Sequence, residues 1–248
     1  MTREQQVAEA LIEAADILVD GFDPAEFLQS LAARCVQLLD VDAAGVMLAD
    51  HRGTLHASAA STENARLLAL FEISSDAGPC LDAFRTGAAV VNADLSINEA
   101  RWPRYAEAVQ ATGFAEAHAL PLRLRGTVLG ALNLLSTTPG PLSDQDARTG
   151  QALADMASIG IISHRSLQRS ELLATQLQQA MTSRAIIEQA KGVLAERWTV
   201  TADEAFALLR NHARNYNLRL SDLARDVTDR SGTVAVLLRD PDQAGTDN

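Results

Sequence analysis

Apolar residues recur along this chain with two different periods. From Asp23 the spacing is helical: Asp23-Pro24 has the form of an N-cap followed by proline at the first helical position, and Phe27, Leu28, Leu31, Val36, Leu38 and Leu39 make one stripe. A helix over 3–19, with Val7, Leu11 and Leu18 recurring on one side, precedes it and ends at Gly21. The period then shortens. Residues 43–49 are a short apolar run, 51–54 a turn and 55–59 a hairpin partner. Helices are predicted over 62–71, 80–85 and 102–111, with a loop over 74–79 and a strand over 88–92. The strongest strand pair is 114–124 and 127–136 around the tight turn Arg125-Gly126. Apolar residues occupy both parities of 128–135, so both faces of that pair are expected to be buried, and Gly130 marks a close backbone approach.

Helical spacing returns at Ser143, which caps the next helix with Asp146 three residues on. No proline occurs from there to Arg197. The stretch 162–180 is polar, with a thin seam at Leu173, Leu177 and Ala180. Such a helix cannot bury itself alone, so it reads as a connector that pairs with a second copy of itself. Three amphipathic faces follow. The first is Ile186, Ile187, Ala190, Val193 and Leu194. The second, after a Thr201–Glu204 capping box, is Ala202, Ala205, Phe206, Leu209, Ala213 and Tyr216. The third is Leu220, Leu223, Ala224 and Val227. The fold class expected is α+β: an antiparallel sheet flanked by helices, then a long coiled-coil-like connecting helix, then an all-α three-helix module. Residues 240–248 read as a disordered tail.

Composition narrows the function. Of 248 residues, 47% are hydrophobic and 21% charged, as in globular proteins. No apolar run approaches the ~20 residues that cross a bilayer, and the polar first nine residues lack a signal-peptide core. Cys35 and Cys80 are the only cysteines, too few for a disulfide framework. A cytoplasmic protein with no membrane partner is expected. The net charge of −11 argues against indiscriminate nucleic-acid binding, but the charge is uneven: −11 over 1–162, +3 over 163–239 and −3 over 240–248. An anionic partner therefore suits the basic C-terminal part alone. Its Lys191 is the single lysine beside 20 arginines.

No histidine stands at metal-ligand spacing with either cysteine, and no phosphate-binding glycine loop or dinucleotide fingerprint occurs. Neither a Ser-His-Asp set nor a carboxylate pair can be argued from spacing. Cys80, at a helix start after Gly78-Pro79, and His118, on an apolar strand, are the polar candidates for lining a ligand pocket. The cations are better organised. Arg184 and Lys191 share a helix face at i, i+7, and Gly192 beside them removes a side chain where a partner can approach. Arg210 and Arg214 stand at i, i+4, and Arg219 opens the last helix. Spaced cations of this kind recognise phosphates.

Residues 182–228 carry Thr182-Ser183-Arg184, Ile187-Glu188, Ala190-Lys191-Gly192-Val193-Leu194, Asp203-Glu204-Ala205-Phe206, Leu209-Arg210 and Leu220-Ser221-Asp222-Leu223-Ala224. Together they resemble the ANTAR domain, the three-helix RNA-binding module of bacterial transcription antitermination regulators. The resemblance implies a dimer that binds paired hairpins in nascent RNA and prevents a terminator from forming. Ala195 stands where that family usually has Met. Residues 24–163 resemble a GAF domain through Gly78-Pro79-Cys80-Leu81-Asp82-Ala83, Trp102-Pro103, and Ala119–Leu122 with Gly130–Leu134. The likeness is to the type that precedes ANTAR in actinobacterial regulators, and implies a sensory sheet with a pocket for a small ligand whose identity, like any cofactor, it does not give.

The organisation expected is thus an N-terminal helix (1–23), a sensory domain (24–163), a helical connector (164–181) and an RNA-binding domain (182–239), with no enzymatic activity. A thiol redox enzyme using Cys80 with Cys35, in the manner of GAF methionine sulfoxide reductases, is one alternative; a ligand sensor acting through protein partners is another.

Overall fold

The computed structural model describes residues 23–94 and 101–229, with Gln5, Ala8, Glu9 and Ile12 ahead of them. The helix expected over 3–19 and the tail 240–248 lie outside the described residues. The chain divides into two compact units, 1–167 and 168–248.

In the first unit, the Asp23 Oδ1 accepts the Ala25 N–H at 2.8 Å and starts α1 (Pro24–Leu38), whose inward face is Phe27, Leu28, Leu31, Ala32, Cys35 and Leu38. The hairpin of β1 (Ala43–Ala49) and β2 (Leu55–Ala60) follows, then α2 (Glu63–Ser75), capped by Thr62, and α3 (Pro79–Thr86). Next come β3 (Val90–Asp94), α4 (Pro103–Thr112), β4 (Glu116–Leu124) and β5 (Thr127–Ser136). Helix α2 runs one turn beyond its expected end. The extra turn is polar, and its Glu72 is buried, which no hydropathy pattern announces.

The five strands are antiparallel in the order β2-β1-β5-β4-β3. Arg125 (φ 49°) and Gly126 (φ 87°) make the left-handed pair that a two-residue hairpin turn requires. In the β4–β5 register His118 faces Leu134, Ala119 faces Asn133 and Leu120 faces Leu132. The pleat sends Leu120, Leu122, Leu132 and Leu134 to one side, beneath α1. It sends Ala117, Ala119, Ala131 and Leu135 to the other, beneath α2, α3 and α4. Both faces are buried, as the two-parity apolar pattern requires, and each enclosed leucine contributes about 1.5–3 kcal/mol. A Cβ at Gly130 would collide with the Met47 carbonyl, so only glycine lets β5 lie flush against β1.

Residues 144–198 form one helix, α5 (Asp144–Trp198), where the sequence divides into a capped start, a connector and a first module helix. Nothing interrupts it, because no proline does. Ser143 donates to the Asp146 carboxylate at 2.6 Å and accepts the Asp146 N–H at 3.0 Å, the expected cap. Early in α5, Leu153, Ala154, Ala157 and Ile161 join the core under α1.

In the second unit Ala190 and Leu194 of α5 share a core with Ala205, Leu209 and Ala213 of α6 (Ala202–Asn215) and Leu223, Ala224 and Val227 of α7 (Leu220–Asp229). The Thr201–Glu204 capping box is formed. Ala195, the departure from the ANTAR pattern, packs half-buried on this core. Tyr216 corrects the expected second face: it is 63% exposed, because it is the C-cap of α6 and lies past the last turn that holds the helical period. Its ring sits 4.4 Å from that of His212 instead.

Candidate ligand site and nucleic-acid interface

The Gly-Pro-Cys motif is organised by an acidic residue outside it. Glu72, fully enclosed at the end of α2, points at the start of α3, where its Oε1 accepts the Cys80 N–H at 2.6 Å and the Leu81 N–H at 3.0 Å. These are donors that a helix N-terminus leaves without partners. Gly78 makes room, since a Cβ there would collide with the Glu72 side chain. Burial raises the Glu72 pKa to about 8; the two N–H bonds oppose the rise and nearby Asp82 adds to it. Asp82 in turn accepts the Trp102 indole N–H at 3.1 Å and pairs with Arg101 at 2.7 Å, which ties the Trp-Pro segment to the Gly-Pro-Cys segment.

Beside this cap lie Tyr105 of α4 and Asn133 of β5, both buried. The Tyr105 hydroxyl, both polar atoms of the Asn133 amide and the Glu72 Oε2 have no hydrogen-bond partner of good geometry. Burial, then Glu72 and Cys80, push the Tyr105 hydroxyl pKa up, so these groups are electrostatic neighbours. Unpaired buried polar groups cost about 1–3 kcal/mol each; within the cluster the Asn133 side chain interacts with the Tyr105 hydroxyl and opposes the rise of its pKa.

Cys80 belongs to this cluster, and His118 does not. Strand alternation puts His118 on the opposite face of the sheet, where it lines a polar cavity of about 390 Å³ with Asp40, Asp42, Ser136, Ser143 and Asp146. Burial lowers its pKa to about 4. Cys80 and His118 therefore do not line one pocket: Cys80, at the start of α3, packs on the sheet face of Ala119 and Ala131, and His118 points from β4 to the other face. Cys80 is not an activated thiol either. Burial, followed by the Glu72 charge, pushes its pKa well above the ordinary value. Cys35 sits in the core beneath α1, so the sheet separates the two cysteines, and both are free. Glu72, Tyr105 and Asn133 are not legible as site residues along the chain; the one signal is Asn133, a polar residue inside the apolar run of β5.

Among the described residues no group of three or more His, Cys, Asp and Glu side chains converges as a metal site, and no described helix is long and apolar enough to cross a membrane.

In the second unit Arg184, Arg210, Arg214 and Arg219 are exposed and form no ion pair with a described residue. Lys191 is placed differently. Its Nζ lies 2.8 and 3.0 Å from the two Glu188 carboxylate oxygens and 5.6 Å from the Phe206 ring centre, with only 15% of the side chain exposed. Gly192 beside it is exposed, and a Cβ there would meet nothing within 4 Å.

The GAF domain family model matches residues 23–161, more than half of the chain. The chain belongs to the GAF family. An ANTAR domain model matches residues 175–227, so the GAF domain is followed by an ANTAR domain. Neither match assigns a bacterial lineage. No curated protein matches the sequence. Among solved structures, the GAF domain of a phosphoenolpyruvate-protein phosphotransferase from Coxiella burnetii is similar with a TM-score of 0.52 at 14% identity, covering 66% of this chain and 98% of that one. Its counterpart from Acinetobacter has a TM-score of 0.51 at 14% identity, covering 67% and 97%. Free methionine-R-sulfoxide reductase from Neisseria meningitidis, in complex with its substrate, has a TM-score of 0.50 at 18% identity, covering 65% and 91%. At these identities the likeness is one of fold.

Proposed function

We propose that this protein is a transcription antitermination regulator, in which the GAF domain senses a signal and the ANTAR domain binds hairpins in nascent RNA. The observation that carries this is the order of the two domains on one chain, 23–161 and then 175–227. Supporting it, the second unit presents four arginines that no described acid neutralises and an exposed mid-helix glycine that its own fold does not require. In this reading 24–163 is the sensory domain, 164–181 the connector and 182–239 the RNA-binding domain. Arg184, Lys191, Gly192, Arg210, Arg214 and Arg219 face RNA.

The sensory input is a small molecule, for which Cys80 and His118 are the candidate contacts, each on its own face of the sheet. The protein works in the cytoplasm as a homodimer, pairing through the seam of Leu173 and Leu177, which are 50% and 66% exposed. It catalyses no reaction. A thiol-exchange role for Cys80 with Cys35 is disfavoured by the sheet between them and by the un-ionised state of both thiols.

The test is hairpin binding by the full chain across a salt series. Lys191→Gln keeps the stem over Phe206 and removes the charge. Losing a charge-assisted hydrogen bond should weaken binding by roughly ten- to hundred-fold, with a salt slope shallower by about 0.7–0.9. Parent affinity and slope in this variant would remove Lys191 from the interface; failure of the parent to select any hairpin would remove the RNA role.

A further inference from the structure

A cleft of about 730 Å³ opens within the second unit, between one face of α5 and the two arginines of the α7 segment, Arg219 and Arg225. The α5 side is lined by Thr175, Gln178, Gln179, Thr182 and Ser183, which follow one another along two turns in steps of three or four residues. Neither arginine forms an ion pair with a described residue. The cleft therefore sets two cations against a wall of hydroxyls and carboxamides beside Ala174, and among the described residues no acidic side chain lines it.

We infer that this cleft holds unpaired nucleotides of the bound RNA loop, with Arg219 and Arg225 on its phosphates and Gln178 and Gln179 reading base edges and ribose hydroxyls. The inference rests on the RNA-binding reading above and adds Arg225, Gln178 and Gln179 to the cations already assigned. Three physical reasons support it. Carboxamides both donate and accept, so they can match base edges, whereas a site for inorganic phosphate alone needs only donors. The volume lies within the ~300–1,000 Å³ of small-ligand sites, which admits splayed nucleotides. Sequence-specific RNA recognition targets such unstacked bases.

The helix geometry also leaves the cleft open in a dimer. At about 100° per residue, Leu173, Leu177 and Ala180 fall on one line of α5, Thr175, Gln178 and Thr182 fall on roughly the opposite line, and Gln179 and Ser183 fall to one side of it. A second copy paired through the leucine seam would leave the cleft side uncovered.

The experiment selects hairpins from a library with randomised loops on the full chain and uses the selected hairpin as probe. Arg225→Gln should weaken it about ten-fold or more and reduce the salt slope by roughly 0.7, the value for one single-stranded phosphate contact. The double variant Gln178→Ala, Gln179→Ala should select different loops while keeping the parent slope, because it removes base contacts and no charge. All three side chains are exposed on helices that Gln and Ala favour, and unchanged helical circular dichroism confirms folding. Parent affinity in Arg225→Gln together with the parent's loop choice in the double variant overturns the cleft assignment. If Lys191→Gln still weakens the same probe, the RNA reading survives that outcome. A parent chain that selects no hairpin overturns both.

Discussion

Gly192→Ala separates what the fold needs from what the partner needs. Gly192 lies inside α5, exposed, six residues from its end, where a glycine destabilises a helix by about 0.8–1.0 kcal/mol relative to alanine. A Cβ added there meets nothing within 4 Å, so no steric penalty offsets that gain. The variant should therefore be more stable by about 1 kcal/mol, and amide hydrogen exchange over 186–198 should slow by roughly five-fold. If the glycine is present so that RNA can approach the helix backbone beside Lys191, the same methyl group displaces the RNA and binding should fall by about ten-fold or more. Exchange measured by mass spectrometry and filter binding with a selected hairpin read the two effects on one sample. A variant that is stabilised and binds as tightly as the parent would refute the reasoning; so would unchanged or faster exchange, which would mean that the glycine serves the fold.

Other outcomes follow from the same geometry. Glu72 keeps its proton to about pH 8 in the folded domain and loses it near 4.5 when unfolded, so its stabilisation is complete below 4.5 and is lost as pH rises toward 8, at up to about 1.4 kcal/mol per pH unit. His118, lowered to about 4, varies only below its ordinary 6.5 and with the opposite sign; between pH 6.5 and 8 the urea midpoint of the GAF domain should fall in the parent and stay level in Glu72→Gln, and a level parent profile would contradict the enclosed acid. Leu173→Asp with Leu177→Asp puts charges into the exposed seam and should shift the protein from dimer to monomer in light scattering, while an unchanged mass would move the interface elsewhere. Gly130→Ala drives a methyl group into the Met47 carbonyl and should cost several kcal/mol, read as a collapsed melting temperature or insoluble protein; a stable variant would mean that β1 and β5 can part at that point.

The sequence by itself determined whatever is local or periodic. The Asp23, Ser143 and Thr201 caps, the Arg125-Gly126 turn and the β4–β5 pair were legible because each depends on neighbours within a few residues. The three apolar faces of the second unit and the motif residues that mark it were legible for the same reason, except at Val193, Ala202 and Tyr216, which are exposed at the margins or ends of their helices. Tertiary structure alone decided what depends on pairing across long separations. Glu72 reads as a surface acid on a polar helix turn until α3 brings the Cys80 and Leu81 amides to it. Asn133 and Tyr105, 28 residues apart, become a buried polar pair only because Asn133 and Ala119 share the α4 side of the sheet. Cys80 and His118 both read as pocket candidates along the chain, yet α3 packs Cys80 on one face of the sheet and the pleat of β4 sends His118 to the other. Likewise the free charge of Arg225 means nothing along the chain, and the folding of α7 against α5 turns it toward two glutamines more than forty residues earlier. A one-dimensional pattern records which residues can be buried; which polar groups are buried together is settled by the register of the sheet and the packing of helices across it.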